Sequence, residues 1–334
     1  MDMSKSPTFT FNREQLIVKL ERRWGDPESI WKYTLDSYSG TWTVERCNIL
    51  VAKDSFASGS FRFAKKALLI EDEVYGSLQV VKILKEHISA NTPTVYFIDV
   101  IIQSLAELFA QEFNKIYCGA KVSFVPTCVV EFTTKYSDLK SSRFAVMEPL
   151  LACHSEKFQK YNDNQGGYQS DSYSAHVANA FSHFSHVASG GELVICDIQG
   201  VGEYYTDPQI HTALLPEFLE TFHSLPGLNR HGKMPFDVFQ DFCFSNMSLG
   251  LGNFGWEGLQ RFVKSHICNS VCAALGLEPF IRENGSLPFT SLRSEFPGQL
   301  ILQTTCNSLK TSPVLERVKT TLYRSILTAW PSTF

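Results

Sequence analysis

The stretch "KSHICNSVC", Lys264 to Cys272, sets a histidine and two cysteines at His266-x-Cys268-x3-Cys272. Imidazole and thiolate are ligands for Zn2+, which takes four of them in a closed structural site. On a regular helix Cys268 and Cys272 share a face, whereas His266 lies about 200° round from Cys268. It converges only from a distorted or pre-helical position. The fourth ligand must come from elsewhere, and His183 and His186 in "FSHFSH" are the available donors. The spacing is not a standard finger pattern, so two core thiols beside a surface histidine fit the stretch as well.

Three further groups of residues could do chemistry. In "ELVICDIQGVGEYYTDPQIHT", Asp197, Gln199 and Asp207 bracket a turn at Gly200 and Gly202. Carboxylate and amide oxygens at a strand end suit Mg2+, which keeps waters and takes phosphate oxygens. Asp197 as a loop cap and Asp207-Pro208 as a turn opener explain the same residues without a ligand. "GLGNFG" is a G-x-G-x-x-G at Gly250, Gly252 and Gly255. A dinucleotide fingerprint needs a strand before the glycines and an acid about 20 residues on, and "QDFCFSNMSL" is not a convincing strand. A loop that covers or positions a substrate fits better. "LQVVKILKE" puts Lys82 on a strand, where it either contacts phosphate or lies exposed at an edge.

These residues need elements to position them. "CNILVAKDSF", "LQVVKILKE" and "KVSFVPTCVVEFTTKY" are β-branched runs that read as strands. Ile101, Ile102, Leu105, Leu108, Phe109 and Phe113 repeat at helical spacing, which predicts a helix over Asp99 to Ile116 with Asp99 at its N-cap. "KYNDNQGGYQSDSYS" is loop. "HVANAFSHFSHVA" reads as helix, "ELVICDIQG" as a buried strand, and Glu257 to Leu277 as one helix ending near Gly276. "PVLERVKTTLYRSILTAW" predicts a terminal helix. A strand-rich first half and a mixed second half give an α+β, two-lobed protein.

The bulk composition excludes several classes. Hydrophobic residues make up 44% and charged ones 19% of 334 residues, as in ordinary globular chains. A net charge of -4 leaves no basic footprint for nucleic acid. The N-terminus has no basic region followed by an apolar run, and no uncharged stretch approaches the roughly 20 residues of a spanning helix. The expectation is a cytoplasmic protein without a membrane segment. Nine unevenly spaced cysteines then read as thiols or metal ligands. The 26 phenylalanines, spread along the chain, read as core filling.

The order of these elements resembles the α-kinases, the atypical protein kinases that include elongation-factor-2 kinase and the myosin heavy chain kinases. The resemblance rests on "SGSFRFAKKA", "VVKILKE", "YFIDVIIQSLAELFAQEFN", "VMEPLL", "KYNDNQGGY", "AFSHF", "GELVICDIQGVGEYYTDPQIHT", "GLGNFG" and "SHICNSVCAALGLEPF". It implies an N-terminal extension (1–32), a catalytic domain (33–280, with lobes of about 33–147 and 148–280) and a C-terminal tail (281–334) of unknown role. It implies ATP between the lobes, Mg2+, a structural Zn2+ that staples the C-lobe, and transfer of phosphate to Thr or Ser of a protein substrate, autophosphorylation included.

By position, Lys82 matches the phosphate-binding strand lysine, and Arg62 a glycine-loop arginine near the phosphates. Met147 and Glu148 fall at the hinge that meets adenine. Asp197 matches the catalytic aspartate, and Gln199 and Asp207 the Mg2+ ligands. His183, His266, Cys268 and Cys272 match the zinc ligands, and Gly250, Gly252 and Gly255 the peptide-substrate loop. Three points depart from the pattern. No acidic partner for Lys82 stands out in the Asp99 to Ile116 helix. The arginine that serves a phosphothreonine pocket in some relatives is missing from "YSAHVANAF". "LIVKLERRWG" is too short to support calmodulin binding. The alternatives are an inactive scaffold of the same fold, and a zinc hydrolase, which would need an open metal position.

Overall fold

The computed structural model describes residues 24–71, 74–88, 93–133, 143–151, 157–167, 171–212 and 249–280. The expected terminal helix and most of the amphipathic "LIVKLERRWG" lie outside the described residues. The chain divides into two compact units, one of residues 1–32, 45–91 and 130–150, the other of 33–44, 92–129 and 151–334.

The first unit holds most of a closed barrel. Its strands are β1 (Glu28–Asp36), β2 (Thr41–Ser58), β3 (Arg62–Glu71), β4 (Val74–Leu84), β6 (Cys128–Phe132) and β7 (Phe144–Pro149), in the order β1-β2-β3-β4-β7-β6. Closure removes the free edges that a β-rich chain must otherwise protect. Register shifts bend β2 at Val51/Ser55 and again at Ser55/Ala57. The chain closes on itself where Thr133 N donates to Ser29 O at 3.0 Å.

The second unit holds α1 (Pro93–Ile116), α2 (Tyr173–Ala188), α3 (Gly255–Ser265) and α4 (Ser270–Ala274). It also holds β5 (Ser123–Phe124), β8 (Gln159–Lys160), β9 (Leu193–Cys196), β10 (Gln199–Val201), β11 (Tyr204–Thr206) and β12 (Gln209–Thr212), with sheet orders β5-β11-β10-β8 and β12-β9. Phenylalanine fills the core as expected. Phe113 of α1 meets Phe181 and Phe184 of α2 edge-on at 5.6 and 5.5 Å, and Phe124 meets Tyr205 at 5.8 Å. Such pairs add roughly 0.5–1.5 kcal/mol each beyond burial.

Two helix expectations need correction. The helix begins at Pro93, so Asp99 lies inside it and is not the N-cap. Proline suits a first helical turn, where its missing N–H costs nothing. Val95, Tyr96, Phe97 and Ile98 are all buried, and a helix buried on every side hides its start from periodicity. By length and composition this helix could cross a membrane, but 72% of its most apolar window is packed inside the protein. It reads as a core helix. The second correction is at Glu257 to Leu277. That stretch is two helices, broken over residues 266–269.

Candidate active site

In the first unit, Lys82 of β4 is bracketed by its sheet neighbours. The β3–β4 register pairs Arg62 with Leu84, and the β4–β7 register pairs Val80 with Glu148. Arg62, Lys82 and Glu148 therefore share one face, each one diagonal step from Lys82. The Lys82 ammonium and the Glu148 carboxylate close at 2.6 Å, with side chains 9% and 4% exposed. The acidic partner absent from the helix is thus a strand residue. Glu148 turns its side chain to Lys82, and Met147 lies on the opposite face, paired with Val81. Arg62 ends the tight turn in which Gly59 N donates to its carbonyl at 2.8 Å.

In the second unit, Asp197 follows the end of β9 and adopts φ 59°, while Asp207 adopts φ 52°. Non-glycine residues visit this region rarely, and the strain clusters where surrounding structure enforces it for function. The β10–β11 hairpin sets Gln199 across from Thr206, the neighbour of Asp207, and β8 sets Lys160 across from Gln199. Gly200 permits this hairpin, because a Cβ there would fall 1.9 Å from the carbonyl oxygen of Tyr204. Asp207 N donates to Gln103 Oε1 at 3.1 Å, which ties the strand end to α1.

The Asp197 carboxylate is engaged at both oxygens. Oδ1 is paired with the Lys160 ammonium, and Oδ2 accepts from Gln209 Nε2 at 3.1 Å. Burial pushes the carboxyl above its usual range, Lys160 pulls it back, and the neighbouring Asp207 and Asp163 charges raise it again. Three carboxylates against one lysine leave this end of the hairpin with negative charge to spare, and its oxygen donors suit a hard cation such as Mg2+.

His183, His266, Cys268 and Cys272 converge, with donor atoms all within 4.8 Å of one another. His183 Nδ1 lies 3.6 Å from Cys268 Sγ, and His266 Nε2 lies 3.6 Å from Cys272 Sγ. Zinc–ligand bonds of 2.0–2.3 Å give a tetrahedron with edges of about 3.6 Å, so the donor set fits Zn2+. The hydrogen bond from Cys272 holds the Cys268 thiol well below its ordinary range, with burial opposing it and His183 and His266 assisting.

The helix break solves the angular problem. His266 caps α3 in an extended conformation, ψ 129°, and Asn269 restarts the chain by accepting from Val271 N and Cys272 N at 2.9 and 3.2 Å. His186 is not in the quartet; its Nδ1 meets the Leu193 carbonyl at 3.2 Å.

The glycine-rich loop lies over β12. A Cβ on Gly252 would fall 1.9 Å from Gln209 Oε1. Gly250 and Gly255 adopt φ of 87° and 57°. A separate cavity of about 480 Å³ includes Lys121, Lys157, Ser174 and Glu203 in its lining, with no arginine.

A strand lysine paired to a strand glutamate, and an aspartate held beside an acidic hairpin, now stand beside a match of the alpha-kinase family profile to residues 57–230. The chain belongs to the alpha-kinase family. It is 31% identical over 266 residues to alpha-protein kinase 1 of Dictyostelium discoideum, covering 78% of this chain and 17% of that relative. It is 30% identical over 258 residues to eukaryotic elongation factor 2 kinase of Rattus norvegicus, covering 76% of this chain and 30% of that relative. The chain thus spans less than a third of the length of these curated relatives. Among solved structures, the alpha-kinase domain of myosin-II heavy chain kinase A in complex with AMP-PNP superposes with a TM-score of 0.60 at 25% identity, over 76% of this chain and 98% of that one.

Residues that contact Asp197 or its partner but carry no role assigned from sequence are Lys160, Asn164 and Gln209. All three stand inside the motifs "KYNDNQGGY" and "TDPQIHT". Only their long-range pairing gives them meaning.

Proposed function

We propose that this chain is an ATP- and Mg2+-dependent protein kinase of the α type, transferring the γ-phosphate of ATP to Thr or Ser of a protein substrate. The observation that carries the reading is Asp197. It is a buried carboxylate in a left-handed backbone, held at both oxygens and flanked by Asp207. Phosphoryl transfer needs positioning and charge stabilisation more than covalent help.

Asp197 orients the attacking hydroxyl and accepts its proton. Lys82, fixed by Glu148, and Arg62 neutralise the triphosphate. Met147 and Glu148 offer main-chain atoms to adenine, since the Glu148 side chain is committed to Lys82. Gln199 and Asp207 would hold Mg2+, which supplies charge neutralisation at the phosphates when bound. Gly250, Gly252 and Gly255 shape the loop on which the peptide lies. His183, His266, Cys268 and Cys272 would hold Zn2+ as a structural ion, with no position left for water.

The inactive-scaffold alternative drew support from Lys82 having no visible acidic partner, and Glu148 fills that role. The hydrolase alternative needs an open metal position, and four donors converge here. The test is transfer from labelled ATP-Mg2+ to a threonine peptide. Transfer by the parent that is lost in a folded Asp197→Ala variant supports the reading. ATP binding without transfer by the parent supports the scaffold.

A further inference from the structure

Gln209 opens β12 directly across from Cys196 at the end of β9, so its side chain lies beside the next residue, Asp197. Its Nε2 donates to Asp197 Oδ2 at 3.1 Å, and its Oε1 accepts from Asn164 Nδ2 at 2.7 Å. That pair of bonds fixes which way the amide points, because a reversed amide would set its carbonyl against the carboxylate. The other Asp197 oxygen is held by Lys160, whose side chain is 42% exposed on a long stem. Gln209 has the shorter and less exposed side chain of the two, so it sets the plane of the carboxylate.

The same strand carries the glycine-rich loop. Asn253 Oδ1 accepts from Thr212 N at 3.1 Å and from Gly255 N at 2.7 Å. Phe254 N donates to His211 Nδ1 at 3.2 Å, which leaves the proton of that ring on Nε2, directed at the Asn164 carbonyl at 2.8 Å. Gly252 lies directly on the Gln209 amide, where any side chain would collide with it. The loop therefore meets β12 at Gln209, His211 and Thr212, and two of these reach Asn164.

We infer that Gln209 is a positioning residue for Asp197, and that it couples the glycine-rich loop to that carboxylate through Gly252 and Asn164. The inference rests on the reading of Asp197 as the group that takes the substrate proton. A peptide pressing on the loop moves the amide that aims Asp197, so substrate engagement and catalytic alignment become one event.

The test is a double-mutant cycle on the full chain, with saturating threonine peptide. Gln209→Met keeps the volume and removes the donor, and Gln209→Ala also removes the collision with a residue at 252. Both should lower kcat by about 10- to 100-fold, the cost of a misplacement near 1 Å, with ATP affinity and melting temperature near parental values. Gly252→Ala should lower kcat about tenfold in the parent and by less than about twofold in the Gln209→Ala background, because the strained contact is then gone. Full kcat in Gln209→Met with an inactive Asp197→Asn overturns this inference alone. Additive losses overturn the coupling. Loss of ATP affinity and melting temperature together with kcat assigns Gln209 a structural role and also overturns it. Full activity in Asp197→Asn overturns both this inference and the reading on which it rests.

Discussion

Lys82 and Glu148 sit one diagonal step apart on the β4–β7 ladder and close a buried ion pair at 2.6 Å. The relationship makes Lys82 part of a sheet, with its acidic partner set by strand register. Removing one partner of a buried pair costs about 3–5 kcal/mol, because the other charge stays out of water. Glu148→Gln should therefore lower the unfolding free energy in urea by that amount and weaken ATP binding at least tenfold. A variant as stable as the parent would contradict this role for the pair.

The quartet of His183, His266, Cys268 and Cys272 carries a second prediction. Structural zinc contributes about 10–16 kcal/mol of apparent binding energy in finger peptides, more than most domains have to spare. One Zn2+ per chain is expected by elemental analysis. Cys272→Ala, or treatment with a strong chelator, should unfold the second unit, seen as loss of helical circular dichroism. A metal-free preparation of parental stability would sink the claim.

Gly200 is constrained by Tyr204. Its Cβ position is occupied by a backbone oxygen 1.9 Å away, which cannot rotate aside. Gly200→Ala should cost about 1–3 kcal/mol in local strain and spread the hairpin that brings Gln199 towards Asp207. Titration of activity with Mg2+ should show a weakened apparent affinity, whereas ATP-independent peptide binding should stay intact. An unchanged Mg2+ dependence would count against the hairpin as the metal's scaffold.

Asn162 is buried and holds three segments together. Its Nδ2 donates to Ser182 Oγ at 3.0 Å and its Oδ1 accepts from Ile198 N at 2.8 Å, next to Asp197. Asn162→Ala leaves that buried N–H without its acceptor and should cost about 1–3 kcal/mol. The check is thermal melting together with kcat. Both should fall, and a variant with parental values would remove Asn162 from the support of the site.

Local patterns made much of this legible. The β-branched runs locate β2, β4, β5 and β6, "HVANAFSHFSHVA" reads as the helix it is, and the His-x-Cys-x3-Cys spacing marks three of the four side chains that converge. The misses have physical reasons. The partner of Lys82 was sought in a helix, but it lies across a ladder whose register no local pattern specifies. The start of α1 was hidden because Val95 to Ile98 are buried on every side. The break at residues 266–269 had one signal, the capping capacity of Asn269, which a continuous apolar pattern outweighed. Lys160, Asn164 and Gln209 lie in motifs that stand out in the sequence, yet their work consists of contacts up to 45 residues apart.

The central claim is that Asp197 takes part in phosphoryl transfer while Zn2+ has a structural role only. Asp197→Asn tests it most directly, because the amide keeps the shape and hydrogen-bonding reach and removes the base. The measurement is the rate of transfer from labelled ATP-Mg2+ to a threonine peptide, with bound zinc and melting temperature recorded on the same sample. The account predicts a rate at least a hundredfold lower, the size expected for a lost general base, with one Zn2+ per chain and a melting temperature near the parental value. Transfer at the parental rate by a folded, zinc-loaded Asp197→Asn protein would contradict it.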